Sequence, residues 1–329
     1  MFPLVEAVLT AAGVLLLLPC LVLLAESVAA VPRRTRRRDA GAPGRRPRCA
    51  VLVPAHDEQA GLPATLAAVR AQLVPGDRLL VVADNCTDRT ADVARAAGAE
   101  VVERRDPSRR GKGFALDFGI RRLAADPPEA VVFVDADCRL VAGTVARLAA
   151  AAVTAGRPAQ ASNHLLPAPG AGTGSRISAF AFAYRNLLRP AGLMRLAGVC
   201  PLFGTGMALP WRLAERADFA GGGIVEDLQL GAWAAAEGSP AVFVPEAGVF
   251  GELPAHPTAA AAQRRRWAHG HLRAIPAAVA ALAAAAVRTG RADVLALAAD
   301  LAVPPLSLTA ALLVSGLAAS AAFAGLGGG

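Results

Sequence analysis

The sequence predicts an α/β fold: a mixed, mostly parallel sheet with helices on both faces, flanked by transmembrane helices. Three observations carry this reading. An uncharged apolar run stands near each end of the chain. Between them, short β-rich runs alternate with helical stretches, the pattern of a parallel sheet covered by helices. The 329 residues are 54% hydrophobic and 18% charged, with a mean hydropathy of +0.43, against roughly 45–50% and about 25% in soluble domains. That apolar load excludes a disordered chain. Five cysteines without a CxxC pair argue against a disulfide scaffold or a cysteine-based zinc site, and fit a reducing compartment.

The elements follow in order. Residues 7–25 carry no charge and lie between Glu6 and Glu26, close to the ~20 residues that span a bilayer core. Basic residues follow this run, whereas a secretory signal places them before it. Residues 1–31 are therefore read as a retained transmembrane helix. Residues 32–48 hold eight arginines against one acid, Asp39, which is +7 of the chain's net +8. Such an arm marks the cytoplasmic side and attracts anionic membrane lipids. The remaining chain is close to neutral, so a nucleic-acid binder, with its basic stripe on the folded body, is not expected. Strands are expected at 50–53, 79–83, 100–102, 131–134 and 241–244, with helices at about 62–73, 88–98, 112–125 and 143–155. Asp88 and Gly98 would cap the second of these helices. The folded domain is placed at 49–272 and an Ala-rich interfacial helix at 273–292. A C-terminal transmembrane segment at 293–329 follows, interrupted by Pro304 and Pro305. Arg288 and Arg291 precede this segment, so two spans place both termini outside. The expectation is a multi-pass protein of the inner cell membrane with a cytoplasmic domain.

Ligands of open α/β sheets bind at the carboxyl ends of the strands. There the first strand runs into PAHDE (54–58), the second into ADNCTD (83–88), and a third into Asp135-Ala136-Asp137. Neither GxGxxG nor a Walker A loop is present, which argues against a dehydrogenase or an NTPase. Residues i and i+2 of an extended strand point to one side. Asp135 and Asp137 there suit a hard divalent cation that also binds phosphate oxygens, although DxD also occurs in solvated turns. Lys112 is the single lysine among 34 basic residues, and it opens a helix after Arg104, Arg105, Arg109 and Arg110. A cation with helix N-terminal amides suits a diphosphate; a solvated loop is the competing reading. Glu226 and Asp227 precede a helix, where acids also serve as dipole partners. Gln263, Arg266 and Trp267 share one helix face. A guanidinium beside an indole suits an anion next to a flat sugar ring, while Arg264 and Arg265 could equally belong to a basic, membrane-facing helix.

In this order PAHDE, ADNCTD, GKGFALD (111–117), DAD, GTG (204–206), ED (226–227) and QRRRW (263–267) resemble the family 2 inverting glycosyltransferases of GT-A fold. The membrane-embedded members, such as the cellulose, hyaluronan and poly-N-acetylglucosamine synthases, look most similar. The resemblance implies inverting transfer from a nucleotide-diphosphate sugar, a UDP-sugar first, to a lipid-linked or polysaccharide acceptor in cell-surface polysaccharide synthesis. It implies that Pro54, His56, Glu58, Asp84, Lys112, Asp135 and Arg266 hold the donor, with Mg²⁺ or Mn²⁺ on Asp137. It further implies that Gly204, Thr205, Gly206, Gln263 and Trp267 face the acceptor and that Asp227 is the general base. Two features depart from the family pattern: Ala83 replaces the first Asp of the usual pair after strand two, and only two spans are expected. A non-catalytic nucleotide-binding partner of another synthase is the alternative.

Overall fold

The computed structural model describes residues 2–31, 45–167, 170, 172–221, 226–253 and 257–325. Its strands are β1 (Cys49–Ala55), β2 (Arg78–Asp84), β3 (Glu100–Arg104), β4 (Ala130–Phe133), β5 (Arg139–Leu140), β6 (Ala159–Leu166), β7 (Met207–Pro210) and β8 (Val242–Glu252). They form one sheet in the order β3-β2-β1-β4-β7-β6-β8-β5. The first four strands of that order run parallel. β7 then turns antiparallel to β4, and β6 antiparallel to β7. β8 runs parallel to β6, and β5 antiparallel to β8.

β1, β2 and β4 are buried along nearly their whole length. A strand covered on both faces has no solvent side, so its sequence reads as an unbroken apolar run. Alternate residues feed two cores. Val51 and Val53 meet helices α2 (Leu62–Arg70) and α5 (Thr144–Ala155), with α3 (Thr90–Ala96) beside them. Leu52, Leu80, Val82 and Phe133 meet α4 (Lys112–Leu123) on the other face. At Gly119 of α4 a Cβ would lie 2.5 Å from Leu52 Cδ1, so a side chain there would push the helix off the sheet. Asp88 and Gly98, the expected caps of α3, each stand one residue outside its cap positions, Arg89 and Ala97. Asp88 Oδ1 accepts the Thr90 N–H at 2.9 Å. Gly98, at φ +73°, lets the Ala99 N–H reach the Ala94 carbonyl at 3.1 Å, a Schellman closure.

After β6, α6 (Thr173–Ala183), a π-helical turn (Tyr184–Leu188) and α7 (Arg189–Ala197) form one unbroken helical run. α8 (Trp211–Ala214) follows β7, and α9 (Glu226–Ala236) leads to β8. The C-terminal third differs from the sequence reading in two boundaries. α10 (Pro257–Thr289) is one 33-residue helix. It contains both QRRRW and most of the segment 273–292 expected as a separate interfacial helix. Alanine is the best helix former, and this run is rich in it, so no break separates the two. Ala278, Leu282, Ala285 and Ala286 of α10 are buried against α9 and α11 (Ala292–Ala302). The segment 293–329 divides at Pro304-Pro305, which cannot continue a helix. α11 buries Val294, Leu297, Ala298 and Leu301 in the folded body, and only α12 (Leu306–Gly325) stands away from it.

Among the described residues, three helical stretches are long and apolar enough to cross a membrane: Pro3–Ala30 within α1 (Phe2–Ala30), Ala261–Thr289 and Leu306–Gly325. α1 and α12 pack on each other and leave most large apolar side chains exposed. The described end of the basic arm is tied down: Arg45, Arg46 and Arg48 pair with Glu129, Asp77 and Asp126 at 2.6, 2.7 and 2.8 Å. The other five arginines of the arm lie outside the described residues.

α1 reaches the body through α7, where the backbones nearly touch. A Cβ on Gly192 would lie 2.0 Å from the Glu26 carbonyl oxygen. Backbone cannot yield as a side-chain tip can, so Gly192→Ala must push the two helices apart. Overpacking costs about 1–3 kcal/mol, which lowers a thermal midpoint by roughly 2–5 °C in a chain of this size. Gly174→Ala, in open space on α6, is the contrast and should hold or raise the midpoint. Thermal unfolding of both variants in detergent checks the pair.

Candidate active site

The carboxyl ends of β1, β2 and β4 open into a cavity of about 650 Å³, within the size range of small-ligand sites. Pro54, His56 and Glu58 line it from β1, Asp84 from β2, Lys112 from the start of α4, Asp135 and Asp137 from β4, and Arg266 from α10. A second cavity of about 320 Å³ shares Lys112, Asp135 and Asp137 with the first. Gly204, Thr205, Asp227 and Gln263 line this second one and not the first. Of the residues expected at the acceptor, Gly204, Thr205 and Gln263 line the second cavity, and Gly206 lines neither. The side chain of Trp267 lies outside the described residues. Gln263 and Arg266 sit on one helix but line different cavities.

The loops after β1 and β2 brace each other. Asp57 accepts the backbone N–H groups of Thr87 and Asp88 at 2.6 and 3.3 Å. The Glu58 N–H donates to Thr90 Oγ1 at 2.8 Å, and His56 Nδ1 donates to the Asp84 carbonyl at 2.7 Å. Asp84 is buried and accepts from Arg104 Nη1 at 2.6 Å, so its carboxylate is already committed as it faces the cavity. Among the described residues, Asp57 and Asn85 are the non-glycine residues with positive φ. Strain of this kind collects at functional loops.

The antiparallel return of β7 brings GTG to the DAD loop, because Gly206 N–H donates to the Phe133 carbonyl at 2.9 Å. The Asp135 N–H donates to Thr205 Oγ1 at 3.0 Å. Gly206, at φ +60°, has no room for a Cβ, which would lie 2.8 Å from Val249. Buried Gln160 locks the turn by accepting the Phe203 N–H at 2.9 Å and donating to the Thr205 carbonyl at 3.0 Å.

Charge is unbalanced here. The Glu58 carboxyl is pushed up by burial and by the charges of Asp137, Asp135 and Asp88. Burial and Asp135 push Asp137 up in turn. Lys112 pairs with Asp135 and donates to the Gly204 carbonyl at 2.8 Å. Asp135, Asp137 and Cys138 offer ligand atoms within 4.8 Å of one another. The Cys138 thiol is pushed up by burial and points to Asp137 Oδ1, which leaves the two carboxylates as the donors. An oxygen pair in an acid-rich cleft fits Mg²⁺ or Mn²⁺.

Asp227 opens α9, where the helix dipole favours its charge. Burial outweighs this and pushes its carboxyl up, opposed by the charges of Lys112 and Arg185. A Cβ at Gly204 would stand 3.4 Å from Asp227 Oδ2 and 3.5 Å from Lys112 Nζ, so both groups face one turn. The sequence reading missed Gln160, and also Asn163, Arg185 and Asn186 of the second cavity. No motif marks them. The sole hint is a cluster of polar residues, Tyr184-Arg185-Asn186, between the apolar stretches 179–183 and 187–188.

Comparison with known proteins agrees with this geometry. A mannosyltransferase from Pyrobaculum calidifontis, solved with GDP-Man and Mn²⁺, superposes with a TM-score of 0.68 at 22% identity, covering 97% of this chain and 90% of that one. At this identity the likeness concerns the fold, the GT-A arrangement. Uncharacterized glycosyltransferases of Mycobacterium bovis and Mycobacterium tuberculosis are 43% identical over 100 residues. That stretch is 30% of this chain and spans 41% of the length of those relatives. Residues 47–270, most of the chain, match the family described as Glycosyltransferase like family 2, and the chain belongs to that family.

Proposed function

We propose that this chain transfers a sugar, with inversion, from a nucleotide-diphosphate donor to an acceptor hydroxyl delivered at a membrane surface. One observation carries the reading: two cavities share the wall of Lys112, Asp135 and Asp137, and Asp227 lines the second but not the first. The donor occupies the larger cavity. Glu58, Asp84 and the loop of His56 face its nucleoside, and Lys112, Arg266 and the α4 N-terminus hold its diphosphate. A divalent cation held by Asp137 beside Asp135 supplies further neutralisation of the departing diphosphate. Asp227 faces the acceptor from the opposite side and takes the proton of its hydroxyl as the new bond forms. A carboxyl raised by burial is a stronger base than an ordinary one. The acid pair and base argue for catalysis over a non-catalytic partner.

The decisive assay is a panel of UDP- and GDP-sugars offered to membranes containing the protein, with released nucleotide detected. Release from one donor and its loss with EDTA are expected; no release from any donor would sink the reading.

Asp227→Asn should cut transfer by about 10²–10⁴-fold while nucleotide binding is retained. In wild type the rate should rise with pH through a carboxyl above the ordinary ~4, and this limb should vanish in the variant. The stability sign follows from the same shift. A carboxyl raised in the folded state costs stability above its unfolded value, so the variant should be at least as stable at neutral pH. Wild-type turnover in Asp227→Asn removes it as base.

We further propose that α1 and α12 cross the inner membrane with the enzyme domain cytoplasmic. Their exposed leucines and valines, such as Leu15 and Leu317, suit lipid. α10 lies outside the bilayer, since Leu282 and its neighbours are buried against α9 and α11. A cysteine placed at Phe2, with Cys20 replaced, should react with an impermeant reagent added to intact cells. Labelling only after permeabilisation contradicts this topology.

A further inference from the structure

A buried cluster of charge links α1 to the second cavity. Arg189, at the start of α7, donates from Nε to Glu26 Oε2 of α1 at 2.8 Å. Its Nη2 donates to the carbonyl and to Oδ1 of Asp300 in α11, at 2.8 and 2.6 Å. All three side chains are buried, with relative exposures of 7, 1 and 5%. Glu26 Oε1 has no partner among the described residues. Passive anchoring does not call for this arrangement. Buried ion clusters give little net stability over apolar packing and are retained for register where they serve any purpose.

The neighbouring π-helical turn gives the register a purpose. The Arg189 N–H donates to the Tyr184 carbonyl and closes the turn. At its other end the Tyr184 hydroxyl meets Ser27 Oγ of α1 at 2.7 Å. Both ends of the turn are therefore fixed to α1, and the residues between them, Arg185 and Asn186, line the second cavity. A further void of about 20 Å³, room for about one water, is lined by Arg185, Arg189, Asp227 and Asp300 together. Charged groups thus run from the end of α1 to Asp227. No residue of α1 or α7 lines the donor cavity.

We propose that Arg189 is a positioning residue: through Glu26 and Asp300 it sets the π-helical turn, and with it the acceptor wall, relative to the membrane helix. The assignment rests on the glycosyl-transfer reading above. The test uses the full chain in native membrane vesicles with Arg189→Met and Glu26→Gln; the second variant keeps shape and one acceptor oxygen and guards against a folding failure of the first. The panel donors are supplied with radiolabelled sugar. Incorporation into vesicle lipid and glycan is compared with release of free sugar to water, and binding of UDP and GDP with Mn²⁺ is measured beside it. Incorporation should fall about 10- to 100-fold relative to hydrolysis in Arg189→Met, the scale of an ångström-level misplacement, and less in Glu26→Gln. Nucleotide affinity should not change. Amides of 184–189 should exchange hydrogen faster in both variants, with β1, β2 and β4 unaffected. Equal loss of incorporation and hydrolysis, or unchanged exchange at 184–189, overturns the proposal. If wild type consumes no donor, the transfer reading fails instead, and the exchange comparison alone decides whether the triad holds the turn.

Discussion

Mutual repulsion among Glu58, Asp135 and Asp137 is the constraint on which the site depends. Burial and the neighbouring carboxylates act against ionisation at Glu58 and Asp137 and outweigh the opposing charges of His56 and Lys112, and Lys112 is paired with Asp135. Nothing in folding stability favours such a cluster, since like charges in a cleft raise one another's cost. It persists because the surrounding backbone over-determines it. The Asp135 amide is fixed on Thr205, the Lys112 ammonium on the Gly204 carbonyl, and the GTG turn on Gln160. The same feature that costs stability prepares a place for a cation and a diphosphate.

Topology delivers these groups. Parallel β1, β2 and β4 end at one edge, which gathers the donor side from segments 80 residues apart in sequence. The antiparallel β7 then enters from that edge, so the turn preceding it lands beside DAD. The second cavity adds residues of α9, α10 and the π-helical turn to ones from β6, β8 and the GTG turn. Most polar groups of the first cavity stand at strand ends, whereas the second cavity takes Arg185 and Asn186 from the π-helical turn, which is joined to α1.

That division explains what could be read in the sequence. β1, β2 and β4 are legible because burial on both faces makes them apolar runs, and DAD is legible because it ends one of them. β6 is not: AQASNHLL mixes polar residues into a strand whose Gln160 and Ser162 are buried and bonded rather than solvated, with Asn163 buried beside them. β7 is only four residues long and ends in proline. Arg185 and Arg189 were missed because their partners lie far away in sequence, on α1, α9 and α11. The alanine-rich C-terminal third has little periodic contrast, so its helix boundaries were misplaced at α10 and α11.

The central claim is that the strand-end carboxylates form a cation site completed by a nucleotide diphosphate. Mn²⁺ titration followed by electron paramagnetic resonance tests it most directly, in wild type and Asp137→Ala, with and without UDP or GDP. The account predicts weak Mn²⁺ binding by the protein alone, tighter binding with one of the nucleotides, and loss of that gain in Asp137→Ala. Nucleotide-independent Mn²⁺ binding, or a gain that survives in Asp137→Ala, would contradict it.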